Sequence, residues 1–143
     1  MKSRVSYKML LIVCFLVIAN FSYFNLQAST PFVKVVLKNG ETKKLEYSSF
    51  TFNWILPIRL TNQESCDKIE ITKDQLDEVF IVDELYNECD GKDDWEVMVY
   101  LKDKSEVLGF FIVSQPVVKG KLYKTGEETS IPFKDIKKVK FKK

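Results

Sequence analysis

The segment Val33-Lys-Val-Val-Leu-Lys-Asn-Gly40 comes back 64 residues later as Val97-Met-Val-Tyr-Leu-Lys-Asp-Lys104, with apolar and polar positions in nearly the same order. Further on, Ile69-Glu-Ile71 matches Ile131-Pro-Phe133 at an offset of 62, and Lys73-Asp74 matches Lys134-Asp135 at 61. Leu76, Val79 and Ile81 match Ile136, Val139 and Phe141 at 60. Order is kept while the offset drifts by four residues. Recurrence at such a period restricts a chain to architectures made from two similar contributions.

What recurs is a strand pattern. Val33, Val35 and Leu37 alternate with Lys34, Val36 and Lys38, and Asn39-Gly40 follows as a hairpin turn. Phe50, Phe52, Trp54 and Leu56 share one parity ahead of Pro57. Trp95, Val97, Val99 and Leu101 alternate with Glu96, Met98, Tyr100 and Lys102, and Val139 and Phe141 with Lys138, Lys140 and Lys142. No stretch holds helical apolar periodicity for three turns, so helical pieces are expected only as short turns at 72–76 and 134–136. The expected fold is all-β. It consists of two repeated, roughly five-stranded small barrel-like halves, residues 29–90 and 91–143, or of one merged β-barrel or sandwich. Either follows an N-terminal signal helix. The join falls in the polar stretch 88–94 (ECDGKDD). With 45% hydrophobic and 29% charged residues the composition is that of a folded globular protein rather than a disordered one.

Each half resembles the small Sm-like and SH3-like barrels. The residues that carry the resemblance are Trp95-Glu-Val-Met-Val-Tyr-Leu-Lys-Asp-Lys-Ser-Glu-Val-Leu-Gly109 and Ile131-Pro-Phe-Lys-Asp-Ile-Lys-Lys-Val139. Such barrels often carry a strand ending Leu-Lys-Asp-Gly, a hairpin, and then a glycine that lets the next strand bend. Gly109 fits the bend, while Lys104 stands where the hairpin glycine is expected. In the first half Gly40 fits the hairpin and no glycine marks the bend. The loop motifs of the RNA-binding members are missing from both halves. The resemblance implies a fold and no function.

Residues 1–28 have the layout of a secretory signal peptide. Lys2, Arg4 and Lys8 precede the apolar run Met9-Leu-Leu-Ile-Val-Cys-Phe-Leu-Val-Ile-Ala19, and a more polar stretch ends at Ala28. The run is short for a bilayer span, which needs about 20 apolar residues. A cleaved signal is therefore expected, with an uncleaved single-pass anchor as the alternative. Removing residues 1–28 leaves 19 basic against 20 acidic residues, a balance of −1, so the basic precursor does not point to nucleic acid. In an oxidising compartment the remaining cysteines, Cys66 and Cys89, are expected to pair and to stabilise the fold by about 3 kcal/mol.

The chain has no histidine. That removes Ser-His-Asp and Cys-His catalysis and His-ligated metal sites. No Gly-rich phosphate loop or nucleophile elbow is present either. No catalytic residue, metal ligand or cofactor site is therefore expected. Asp90-Gly-Lys-Asp-Asp94 reads as a turn, because it lacks the spacing of a calcium loop. Two features suit a binding surface. Phe50, Phe52 and Trp54 form either an aromatic platform or one wall of the core. The charges are segregated: residues 67–94 hold 11 acids and 3 lysines, residues 119–143 hold 9 lysines and 3 acids. Lys138 and Lys140 lead the basic group, as a docking surface or as guards on a strand edge. The expected role is an exported, periplasmic or secreted, binding or structural component of the cell envelope. Its partner would be an envelope protein or cell-surface ligand and not nucleic acid. Membrane contact is expected only if the signal stays uncleaved. The rivals are a membrane-anchored subunit of a larger complex and a carboxylate-based hydrolase acting on a glycan.

Overall fold

The computed structural model describes residues 30–53, 57–113 and 115–143. The signal-like segment 1–28 and Trp54 lie outside the described residues. Ten strands follow in order: β1 (Phe32–Leu37), β2 (Thr42–Glu46), β3 (Ile58–Asn62), β4 (Lys68–Ile71), β5 (Leu76–Asn87), β6 (Lys92–Leu101), β7 (Glu106–Phe111), β8 (Val117–Lys121), β9 (Glu128–Pro132) and β10 (Ile136–Lys142). Single 3-10 turns, Lys73–Gln75 and Phe133–Asp135, lead into β5 and β10. The series of four strands, a 3-10 turn and a fifth strand thus occurs twice.

Local hydrogen bonds come in matching sets. In the β1–β2 turn, Leu37 N–H donates to Glu41 O (2.8 Å) and Gly40 N–H to Leu37 O (3.0 Å); in the β6–β7 turn, Leu101 donates to Ser105 (2.9 Å) and Lys104 to Leu101 (3.0 Å). Asn39 and Asp103 cap these turns through their side chains. Gly40 (φ 88°) and Lys104 (φ 73°) take the same left-handed conformation, so the missing hairpin glycine changes the strain and not the turn. The β3–β4 and β8–β9 turns match as well: Asn62 N–H donates to Asp67 O (2.9 Å), and Leu122 N–H to Glu127 O (2.8 Å). Their left-handed residues are Cys66 (φ 60°) and Gly126 (φ 69°).

These bonds correct two details of the sequence alignment. Ile71 pairs with Ile58 as Ile131 pairs with Val118, an offset of 60 rather than 62. Lys73 and Phe133 both open the 3-10 turns, so Lys73 stands with Phe133 and not with Lys134. The offset is 64 through the first hairpin and 60 afterwards. The four-residue difference falls wholly between β2 and β3.

Separate barrel-like halves are not what forms. The β5–β6 hairpin runs straight across the expected join at 88–94, with Asn87 opposite Lys92. Each half therefore lends its last strand to the other: β5 pairs with β6, and β10 pairs with β1. β5 and β10 also pair with each other, centred on Val79 opposite Val139. The outcome is one open eight-stranded sheet, β2-β1-β10-β5-β6-β7-β3-β4, and a two-stranded sheet, β8-β9. Alternation does the folding work, because successive strand residues face opposite sides. Val33, Val35, Leu45, Val79, Val97, Val99 and Val139 are fully buried in one core. Phe50, Phe52, Phe111 and Phe133 complete it, with ring centroids 4.9 Å apart for Phe50–Phe52, 5.0 Å for Phe52–Phe111 and 5.5 Å for Phe111–Phe133. Each such ring contributes on the order of 1.5–3 kcal/mol of burial.

Residues 50–53 do not extend into the strand that their parity suggests. They make only isolated bridge contacts, at Thr51, opposite Lys119, and at Phe52, and Asn53 turns into the left-handed region (φ 52°).

Candidate binding groove

The four extra residues between β2 and β3 make the two matching strand contacts between the halves differ. On one side of the molecule, β3 of the first half pairs along β7 of the second without a break: Asn62 opposite Gly109, Thr61 opposite Phe110, Leu60 opposite Phe111. Gly109 permits this approach, since a Cβ there would stand 2.7 Å from the Thr61 carbonyl oxygen. The matching pair on the other side is β8 of the second half with β2 of the first, and it begins identically with Leu122 opposite Leu45. It then fails. Past Glu46 the chain folds back on itself, with Ser49 and Phe50 N–H both donating to Glu46 O (3.2 Å each). The Ser49 hydroxyl accepts from Lys121 N–H (2.8 Å) where a backbone carbonyl would otherwise serve. Contact resumes at Thr51 and Lys119, which exchange two 2.9 Å backbone bonds.

Between this bulge and the β8–β9 sheet lies a groove of about 550 Å³. Ser48, Ser49 and Thr51 line one wall; Lys119, Gly120, Lys121, Glu128, Thr129 and Ser130 line the other. Gly120 occupies the position that Leu60 fills in the first half. A Cβ on Gly120 would come within 3.3 Å of Leu45 and 3.4 Å of Phe50, so the glycine keeps the groove floor low. The volume falls in the ordinary range for ligand sites, about 300–1,000 Å³.

The bulge is held from behind by Lys73. Its ammonium donates to the carbonyls of Tyr47 and Phe50 and lies 4.2 Å from the Tyr47 ring centroid. Burial pushes the Lys73 pKa down. Tyr47 O–H in turn donates to Asp74 (3.0 Å), which also pairs with Lys143. The matching position to Lys73 is Phe133, which packs against Phe111. A cation–π contact thus stands where the second half has an aromatic pair.

Chemically, the groove is lined by five hydroxyl side chains, of which that of Ser49 already donates to Glu46 O and accepts from Lys121 N–H, with lysines beside them. Among its described lining residues Glu128 is the one carboxylate, whereas glycoside hydrolysis calls for two across the scissile bond. Among the described residues no group of three or more His, Cys, Asp or Glu is placed to hold a metal ion. No described helix is long and apolar enough to cross a membrane.

The residues singled out from the sequence fall elsewhere. Phe50 and Phe52 are wholly buried and present no platform; they form the core wall, because the back-fold at Glu46 turns both inward. Trp54 lies outside the described residues. Lys138 and Lys140 are half-buried on a central strand rather than an edge, and both pair with Glu78, at 3.4 and 2.8 Å. Burial pushes the Glu78 carboxyl up, but the two ammonium groups outweigh it and hold the pKa below the usual range.

Cys66 and Cys89 form a disulfide, with Cα atoms 5.5 Å apart. It ties the β3–β4 turn to the β5–β6 turn. A polar clasp backs it: Asp90 accepts from Lys68 (2.8 Å), from the buried Thr61 hydroxyl (3.2 Å) and from the buried Asn87 amide (3.1 Å). The hydrogen bonds, that from Lys68 foremost, draw the Asp90 pKa down. Asp90 and Gly91 thus belong to the β5–β6 turn, and Lys92, Asp93 and Asp94 open β6.

The groove hydroxyls went unread because isolated serines and threonines carry no pattern. A usable signal was nonetheless present: the offset changes between β2 and β3, and Gly120 faces Leu60 across the match. Comparison with protein-family models, with curated proteins and with solved structures finds no match.

Proposed function

We propose that the chain is an exported binding component of the cell envelope, built from a duplicated five-strand unit of Sm-like or SH3-like type, and that the groove is its recognition surface. The observation that carries this reading is the broken symmetry. Where β3 seals against β7, the matching contact of β8 with β2 leaves its space open and lines it with hydroxyls. Sealing it would require only a chain shorter by four residues and a leucine for Gly120. A rigid sheet with an adaptable loop on one wall is the usual division between scaffold and site. Export is supported by the signal-like residues 1–28 together with the Cys66–Cys89 disulfide. The ligand class that suits hydroxyls and a single carboxylate is polar and hydrogen-bonding, a glycan or peptide of the envelope.

Photo-crosslinking in the natural host tests the reading. A photoreactive residue at Ser48 or Ser130 is expected to capture envelope material that the same residue at Lys124, outside the groove, does not. Identical adducts from all three positions would overturn it. Export is tested separately by intact mass: a chain beginning at Ser29, with two thiols appearing only after reduction, supports it. A full-length chain with free thiols replaces it with the anchored-subunit reading.

A further inference from the structure

Strand register lays two rows of side chains across the outer face of β2, β1, β10, β5, β6 and β7. One row reads Lys44, Lys34, Lys140, Glu78, Tyr100, Glu106. The next reads Thr42, Val36, Lys138, Phe80, Met98, Leu108. All are exposed or half-buried, while Val33, Val35, Leu45, Val79, Val97, Val99 and Val139 beside them are buried in the core. The face is therefore polarised about the line between β10 and β5. Four lysines lie on the β2-β1-β10 flank. Two glutamates and the apolar Phe80, Met98, Tyr100 and Leu108 lie on the β5-β6-β7 flank.

We propose that this face docks a second copy of the chain, sheet on sheet, about a twofold axis running parallel to the strands between β10 and β5. That axis lays β2 over β7, β1 over β6 and β10 over β5. Lys44 then meets Glu106 of the second copy, Lys34 meets Tyr100, and Lys140 meets Glu78. In the second row Val36 meets Met98, and Lys138 meets Phe80. The last contact repeats between copies one already made within the chain, where the Lys138 ammonium lies 5.2 Å from the Phe80 ring centroid. No like charges oppose one another. A twofold axis across the strands does the reverse, setting the lysine flank on itself and Lys140 over Lys138. An isologous interface needs a self-complementary surface, and the register supplies it for one axis only. An anionic lipid surface fits less well, because it would attract the lysines and repel Glu78 and Glu106.

The two rows cover about 24 Å across the strands and about 7 Å along them, or on the order of 400 Å² per copy with side-chain width included. Stable interfaces bury about 800 Å² per partner, so the association is weak, reversible and steered by charge.

Sedimentation velocity on the full chain tests this. The wild-type sedimentation coefficient is expected to rise with concentration in about 10 mM salt and to stop rising near 1 M, as the Debye length falls from about 30 to about 3 Å. Lys44→Glu puts like charges together at both symmetry-related contacts, and so does Glu106→Lys. Each variant alone is expected to stay monomeric, and an equimolar mixture to associate again. Circular dichroism of each variant guards against a folding defect. A wild-type chain still monomeric at about 1 mM in low salt would overturn the proposal. So would variants that associate as the wild type does, or a mixture that stays monomeric.

Discussion

The β3–β4 and β8–β9 hairpins share strand register, turn hydrogen bonds and a left-handed residue at the matched turn position, yet they are held very differently. The first is laced to β7 along three residue pairs, bound by the disulfide and clasped through Asp90. The second touches β2 through one bridge and the bulge through another. A hairpin's shape is thus set by its own residues, while its docking is decided by the length of chain beside it. Tight docking closes the surface; loose docking leaves a groove.

The comparison breaks hardest at the shared core. Phe52 belongs to the long connection of the first half, yet its ring meets Phe111, Phe133 and Phe141. Phe52→Ala is expected to cost about 3–5 kcal/mol in urea unfolding, with both halves lost in one transition. Removing the disulfide as Cys66→Ser with Cys89→Ser is expected to cost about 3 kcal/mol and to raise amide exchange in β3–β4 before β8–β9. Gly109→Ala forces β3 away from β7 and is expected to cost about 1–3 kcal/mol, read by denaturation and by faster exchange at Asn62. A smaller effect separates the turns: Lys104→Gly relieves a left-handed residue and is expected to stabilise by about 0.5 kcal/mol, whereas Gly40→Lys destabilises by about 1 kcal/mol. Asp90 gives the finest discrimination. Its carboxyl is depressed on folding, so its contribution is present above the unfolded pKa, near 4, and is lost as pH falls through the folded value. Asp90→Asn is therefore expected to lower stability at neutral pH and to converge with wild type in acid. The loss should show as faster amide exchange in the β3–β4 hairpin with β8–β9 unchanged.

Much of this was legible from alternation alone. Val33, Val35, Val79, Val97 and Val139 lie where their parity puts them; the first 3-10 turn falls within the expected 72–76, and the second, Phe133–Asp135, starts one residue ahead of the expected 134–136. The disulfide followed from an even pair of cysteines. Exchange of last strands was not legible, because β5 pairs equally well by pattern with either half's first strand. The short turn after Asn87 settles the choice. Phe50 and Phe52 show the opposite limit: two-residue parity survives in their burial although no strand forms, since a bulge can turn successive aromatics inward as effectively as a pleat. The groove escaped because it is made by a difference in loop length, which no single residue displays.

The pairing of β1 with β10 also governs how the chain must be made. Phe32 leaves the ribosome roughly a hundred residues before its register partner Lys142, so the middle of the sheet is the last part to exist. Until then β1 and β5 each present a bare edge, the kind of surface that seeks another chain. Synthesis is thus a period of exposure ended by a single strand. Loss of β10 would return β1 and β5 to that state, whatever the rest of the fold retained.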